Sequence, residues 1–205
     1  PTPIATAIEG SGVCIGETLD IVGNFTSGTP PVMYTWTDLG TGTSTGYILT
    51  GLMTQVLTVD ATIATPGTIE LEYFVVDSAG CPSLPVAVIV VVNPLPEISL
   101  QPVNAFSCEG EDALFSINST IEESDHLTPT LSPLIYVLQI DSGSGFMDYS
   151  TITGMSGDQV DFTVLAADIT SCTRVRISVT ADHTPDPDCV VLSEEAFIFV
   201  NEGIT

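Results

Sequence analysis

Apolar and polar residues alternate along this chain in short runs, with a period of two rather than the 3.6 of a helix. In Thr68-Ile69-Glu70-Leu71-Glu72-Tyr73-Phe74-Val75, the apolar Leu71, Tyr73 and Val75 fall on one side and Glu70 and Glu72 on the other. A strand with one buried and one wet face needs that arrangement. Gly, Pro, Ser, Thr and Asp gather between the runs and mark turns. The alternation predicts strands at 3–9, 18–25, 32–38, 44–50, 54–60, 68–77 and 84–93. It predicts them again at 97–103, 112–120, 134–141, 147–153, 158–166, 173–182 and 189–200.

The second set repeats the first. Cys14-Ile15-Gly16-Glu17 returns as Cys108-Glu109-Gly110-Glu111, and Thr54–Val59 returns as Asp158–Val164 with one extra residue. Thr68–Asp77 matches Thr173–Asp182. Each copy continues through a turn and a cysteine (Cys81, Cys189) to a last strand ending Val92-Asn93 or Val200-Asn201. Repetition over this length indicates tandem homologous domains. The expected fold is therefore all-β: two tandem immunoglobulin-like Greek-key β-sandwiches arranged end to end. Asn93-Pro94-Leu95-Pro96 reads as a short, stiff, extended joint, which sets the domains at 1–94 and 95–205. Trp36 is expected to fill the core of the first domain. A chain that starts at Pro1 and ends in Asn201-Glu202-Gly203-Ile204-Thr205 reads as a mature product or a piece of something longer.

Charge narrows the partners. The 205 residues include 26 acidic ones against Arg174 and Arg176, a net charge of −24 with no lysine at all. Such a surface repels phosphate backbones and anionic lipid headgroups, which argues against nucleic-acid and membrane-surface binding. The longest apolar run, Pro85–Val92, is too short to insert into a bilayer. Without lysine, Lys–Asn isopeptide cross-links cannot form.

Five cysteines in so acidic a chain point to disulfides and an oxidising compartment. No Cys-x-x-Cys occurs, and His126 and His183 have no cysteine pair at zinc-site spacing. Two connectivities remain open. One bridge per domain would pair Cys14 with Cys81 and Cys108 with Cys189. In a Greek key, however, these positions lie at opposite ends of the sandwich, a strand of about eight residues or roughly 26 Å apart. A disulfide needs its Cα atoms within about 7 Å. The favoured scheme pairs Cys14 with Cys189 across the joint and Cys108 with Cys172, leaving Cys81 for a neighbouring module.

Catalysis finds little support. Both histidines stand in polar loop sequence, no Gly-x-Ser-x-Gly elbow is present, and Asp141-Ser142-Gly143-Ser144-Gly145 reads as a turn. Calcium is the stronger candidate ligand, because Asp182, Asp186 and Asp188 concentrate carboxylates in one loop and hard cations take several oxygens at once.

Val13-Cys14-Ile15-Gly16-Glu17, Tyr34-Thr35-Trp36-Thr37, Val75-Val76-Asp77-Ser78-Ala79-Gly80-Cys81 and Val91-Val92-Asn93-Pro94-Leu95-Pro96 together resemble the Ig-like/PKD-like repeats of large Bacteroidetes cell-surface proteins, gliding-motility adhesins among them. The first domain matches throughout. The second lacks the tryptophan and carries the extra Cys172. The resemblance implies an exported, cell-surface, multi-domain protein, and Asp77-Ser78-Ala79 resembles a short O-glycosylation motif of such proteins. The function expected is a non-enzymatic extracellular spacer or polymerising subunit of an adhesin or filament, whose partners are neighbouring Ig-like modules. The alternative is a glycan- or protein-binding module, which would show a cluster of exposed aromatics on one face. Tyr47, Phe146 and Tyr149 are the candidates for such a cluster.

Overall fold

The structure is a computed structural model that describes residues 2–6, 11–30, 32–121, 133–170, 173–183 and 188–201. It divides into two compact units, with the break between Pro94 and Leu95. Each is a β-sandwich of the Ig/fibronectin III kind.

The first unit contains β1 (Ile4–Thr6), β2 (Ser11–Cys14), β3 (Thr18–Val22), β4 (Asn24–Thr26), β5 (Val32–Asp38), β6 (Ile48–Thr50), β7 (Val56–Asp60), β8 (Gly67–Asp77) and β9 (Val86–Asn93). One sheet has the order β2-β9-β8-β5 and the other β3-β7-β6, with β1 paired to β4. β2 runs parallel to β9, while the other pairings of this unit are antiparallel. The inward residues of these strands form the core, and Leu57, Ile69, Leu71, Tyr73 and Val90 are fully buried in it. Trp36 takes the expected core position: its ring lies 4.3 Å from that of Tyr73, and its Nε1–H donates to the Thr54 carbonyl at 3.0 Å. The Tyr73 hydroxyl donates to the Asn24 carbonyl, and burial pushes this phenol up to about 12. Both polar tips buried with these rings are thereby satisfied.

The second unit contains β10 (Glu97–Leu100), β11 (Ala105–Cys108), β12 (Ala113–Thr120), β13 (Leu134–Asp141), β14 (Met147–Gly154), β15 (Gln159–Val164), β16 (Thr173–Ala181), β17 (Cys189–Leu192) and β18 (Ala196–Asn201). Its sheets are β10-β12-β15 and β11-β18-β16-β13-β14, with β17 also paired to β16. No tryptophan is available here, so Phe115, Phe162 and Tyr136 fill the core. The Tyr136 hydroxyl pairs with the Ser119 hydroxyl at 2.8 Å.

Three features depart from the sequence expectations. The first strand of each unit is split in two, and the second piece (β2, β11) crosses to the other sheet to lie parallel to the last strand. Cys14 and Cys108 therefore end a strand rather than sit in a turn. The final strand of the second unit is broken at Ser193. That residue's hydroxyl accepts the Ile177 N–H while its own N–H donates to the Ile177 carbonyl. Ser83 makes the same reciprocal contact with Val75 in the first unit. Finally, the fourth predicted strand differs between the units. β6 pairs with β7, whereas β14 pairs with β13 in the opposite sheet.

Candidate functional site

The repeated Cys-x-Gly-Glu is a β-turn that closes the parallel strand of each unit. The Glu17 N–H donates to the Cys14 carbonyl at 3.1 Å, and the Glu111 N–H donates to the Cys108 carbonyl at 3.0 Å. The third residue of each turn, Gly16 or Gly110, has a φ of +91° or +82°, a conformation that glycine adopts without steric cost. The glycine explains the spacing, and the cysteine is free to play a second part.

That part differs between the copies. Cys14 is 2% exposed and disulfide-bonded, as is Cys189, which opens β17 and is 1% exposed. Cys81 and Cys108 are exposed free thiols. The expected Cys108–Cys172 bridge is corrected on the Cys108 side. Alternation along β11 turns Ser107 inward and leaves Cys108 facing out, with its thiol unbonded; Cys172 lies outside the described residues. The one-bridge-per-domain alternative would join a bonded cysteine to a free one in each pair, so it does not form either.

Cys81 stands on a rigid turn. Asp77, the last residue of β8, is buried, and its Oδ1 accepts the N–H of Ala79 at 3.0 Å and of Cys81 at 2.9 Å. Its Oδ2 takes the Thr29 N–H at 3.4 Å. The N–H donors, that of Cys81 foremost, hold this carboxyl below the usual carboxylate range. Ser78, in the glycosylation-like triplet, is exposed, and its hydroxyl donates to the Thr29 carbonyl.

The acidic loop is described in part. Asp182 is half-buried just past β16, and Asp188 is exposed just before β17. Asp186 and His126 lie outside the described residues. Among the described residues no three His, Cys, Asp or Glu side chains gather as a metal centre. His183 is buried.

The aromatics proposed from sequence do not form one cluster. Tyr47 packs against the first core and donates to Asp38 at 2.7 Å, with burial pushing its phenol up to about 12. Tyr149 donates to Asp168. Phe146 instead lies under the chain's two arginines, 5.3 Å from the Arg174 guanidinium and 4.1 Å from that of Arg176. A cluster not anticipated from sequence lies nearby on the same sheet. Phe106 stacks on Phe199 at 5.3 Å, and Phe199 neighbours Phe197 at 6.2 Å. Alternation in Ala105-Phe106-Ser107 and Phe197-Ile198-Phe199 carried this signal. What hid it was the parallel pairing of β11 with β18, which alone makes these rings neighbours.

No protein-family model and no curated protein matches the chain. Among solved structures it is similar to the fibronectin(III)-like modules of Clostridium thermocellum CbhA, at 12% identity and a TM-score of 0.47, covering 97% of this chain and 95% of that one. It is similar also to extracellular domains 3–5 of Drosophila OTK, at 9% identity and a TM-score of 0.45, covering 96% and 62%. With titin domains I67–I69 it shares 10% identity at a TM-score of 0.40, covering 97% and 65%. The fold is that of Ig/fibronectin III-like modules. Among the described residues no helix is long and apolar enough to cross a membrane.

Proposed function

We propose that this chain is a pair of Ig-like modules, 1–94 and 95–205, serving as a spacer or polymerising subunit of an extracellular surface adhesin or filament. In this reading Cys14 and Cys189 are bonded to each other and staple one module to the next. Cys81 is the attachment point for a neighbouring module. The observation that carries the reading is the division among the cysteines: Cys14 and Cys189 are buried and bonded, while Cys81 and Cys108 are exposed and free. With Cys81 and Cys108 free, Cys172 alone cannot bond to both Cys14 and Cys189, which supports pairing these two with each other. A staple of this kind limits the motion between modules, as a spacer needs. Non-reducing peptide mapping of the secreted protein is expected to yield a Cys14–Cys189 peptide. Recovery of Cys14–Cys81 would overturn the proposal.

A second reading, a module that binds a protein or glycan, is favoured by the exposed phenylalanines of β11 and β18. The two readings are compatible if the bound partner is another subunit.

A further inference from the structure

The outward face of the sheet β11-β18-β16-β13-β14 carries an unbroken line of rings and cations. Phe106 stands opposite Phe199 in the parallel register, and Phe197 stands opposite Arg174 in the antiparallel one. Arg176 follows Arg174 on the same side of β16, and both guanidinium groups lie over Phe146. The rings are not sealed: Phe106 is 73% and Phe199 43% exposed. Phenylalanine has no polar tip with which to read a sugar hydroxyl, whereas phenyl rings and arginines are enriched in the centres of protein–protein interfaces. These observations favour a protein partner.

Charge says which kind. Arg174 is ion-paired with Asp141 and Glu195. Arg176 donates its Nε–H to Gln139 and has no carboxylate partner among the described residues, in a chain with 26 acidic residues. The line thus holds every Lys or Arg the chain possesses, and no carboxylate among the described residues engages the second guanidinium. The first unit presents the complement. The last strands pair alike in the two units, Cys14 with Asn93 and Cys108 with Asn201, and four residues earlier Ile89 stands opposite Glu70 as Phe197 stands opposite Arg174. Glu70 therefore occupies the position of Arg174, and Glu72 that of Arg176. Glu70 and Glu72 share one face of β8, and Ile89 is exposed. One unit therefore shows acid and aliphatic groups where the other shows arginine and phenyl.

We infer that the β16–β18 face of the second unit is a docking surface for a second copy of this chain, received through the β8–β9 face of that copy's first unit. The two surfaces differ, so the contact is heterologous and each copy keeps one free face of each kind, which permits a chain of copies. The inference rests on the polymerising-subunit reading, but it does not involve the cysteines. A failed peptide map would leave it standing.

The test uses the full chain carrying Cys81→Ser, Cys108→Ser and Cys172→Ser, so that no cysteine outside the bonded pair can link copies. Sedimentation at physiological salt is expected to show association that rises with concentration. Glu72→Arg and Arg176→Glu should each weaken it at least about tenfold, and an equimolar mixture of the two variants should restore it, because each reversed face then meets its complement. Phe106→Ser, at a side chain too exposed to support the fold, should weaken association without lowering the melting temperature. A chain that stays monomeric at all concentrations overturns the inference. So does a mixture that fails to restore association, or saturable glycan binding by a monomer that Phe106→Ser abolishes.

Discussion

Two side chains show how single residues hold the first unit. Trp36 is 3% exposed, and its indole combines apolar burial with a satisfied N–H. Trp36→Ala removes the ring from between two sheets that cannot fully close on the gap, at a cost of about 3–5 kcal/mol, read by denaturant titration. Asp77 acts through its charge. Its carboxyl titrates lower in the folded protein than in the unfolded chain, so the stability it contributes is complete above the ordinary carboxylate pKa of about 3.9. That contribution declines as the pH falls from there and is gone below the depressed folded value. Asp77→Asn should therefore melt below the parent protein at neutral pH, and the gap should close on acidification. Comparing the two proteins cancels the general relief of repulsion that acid brings to so anionic a chain. A gap independent of pH would refute the role given to the charge. Trp36 was legible in the sequence as a lone tryptophan on a predicted strand. The cradle around Asp77 was legible only in part, because Ala79 and Cys81 follow it closely whereas the Thr29 N–H comes from a distant stretch of chain.

Among the elements, the fourth strand of each unit is the informative case. Its sequence runs at 44–50 and 147–153 match a strand equally well, yet β6 joins β7 and β14 joins β13. The connections decide this. In the second unit, Asp141 accepts the N–H groups of Gly143 and Gly145 at 2.7 and 2.9 Å. That tight turn returns the chain directly beside β13. In the first unit the longer connection 39–47 passes over the start of β8, where the Ser44 N–H donates to the Thr68 carbonyl. Gly42 allows the passage: a Cβ there would stand 2.2 Å from the Thr68 carbonyl oxygen. Gly42→Val should cost about 1–3 kcal/mol through this overlap with backbone, measured as a shift in denaturation midpoint. An unchanged midpoint would show that the connection moves freely.

For the molecule as a whole, charge and disulfide state set the behaviour. A net charge of −24 opposes compaction through self-repulsion, and salt screens it over about 8 Å at physiological ionic strength. The melting temperature should rise as sodium chloride increases from near zero, and the gain should level off once exposed charges are screened. A flat profile would mean that the charges are spaced too widely to matter. Reduction of the bonded cysteines should lower stability by about 2–4 kcal/mol, with Cys81→Ser leaving that loss unchanged because its thiol is free.

The sequence by itself determined the strands, their alternation, the duplication and the turn glycine of each Cys-x-Gly-Glu, because these depend on periodicity and local backbone sterics. Only the tertiary structure decided which strands become neighbours. It moved β2 and β11 to the sheet of the last strand and sent β6 and β14 to opposite sheets. It also gave the two equivalent cysteines different fates, Cys14 buried and bonded, Cys108 exposed and free. The line from Phe106 to Arg176 belongs to the same class. Its members come from four separate stretches of chain, and only hydrogen-bonded register brings them onto one face.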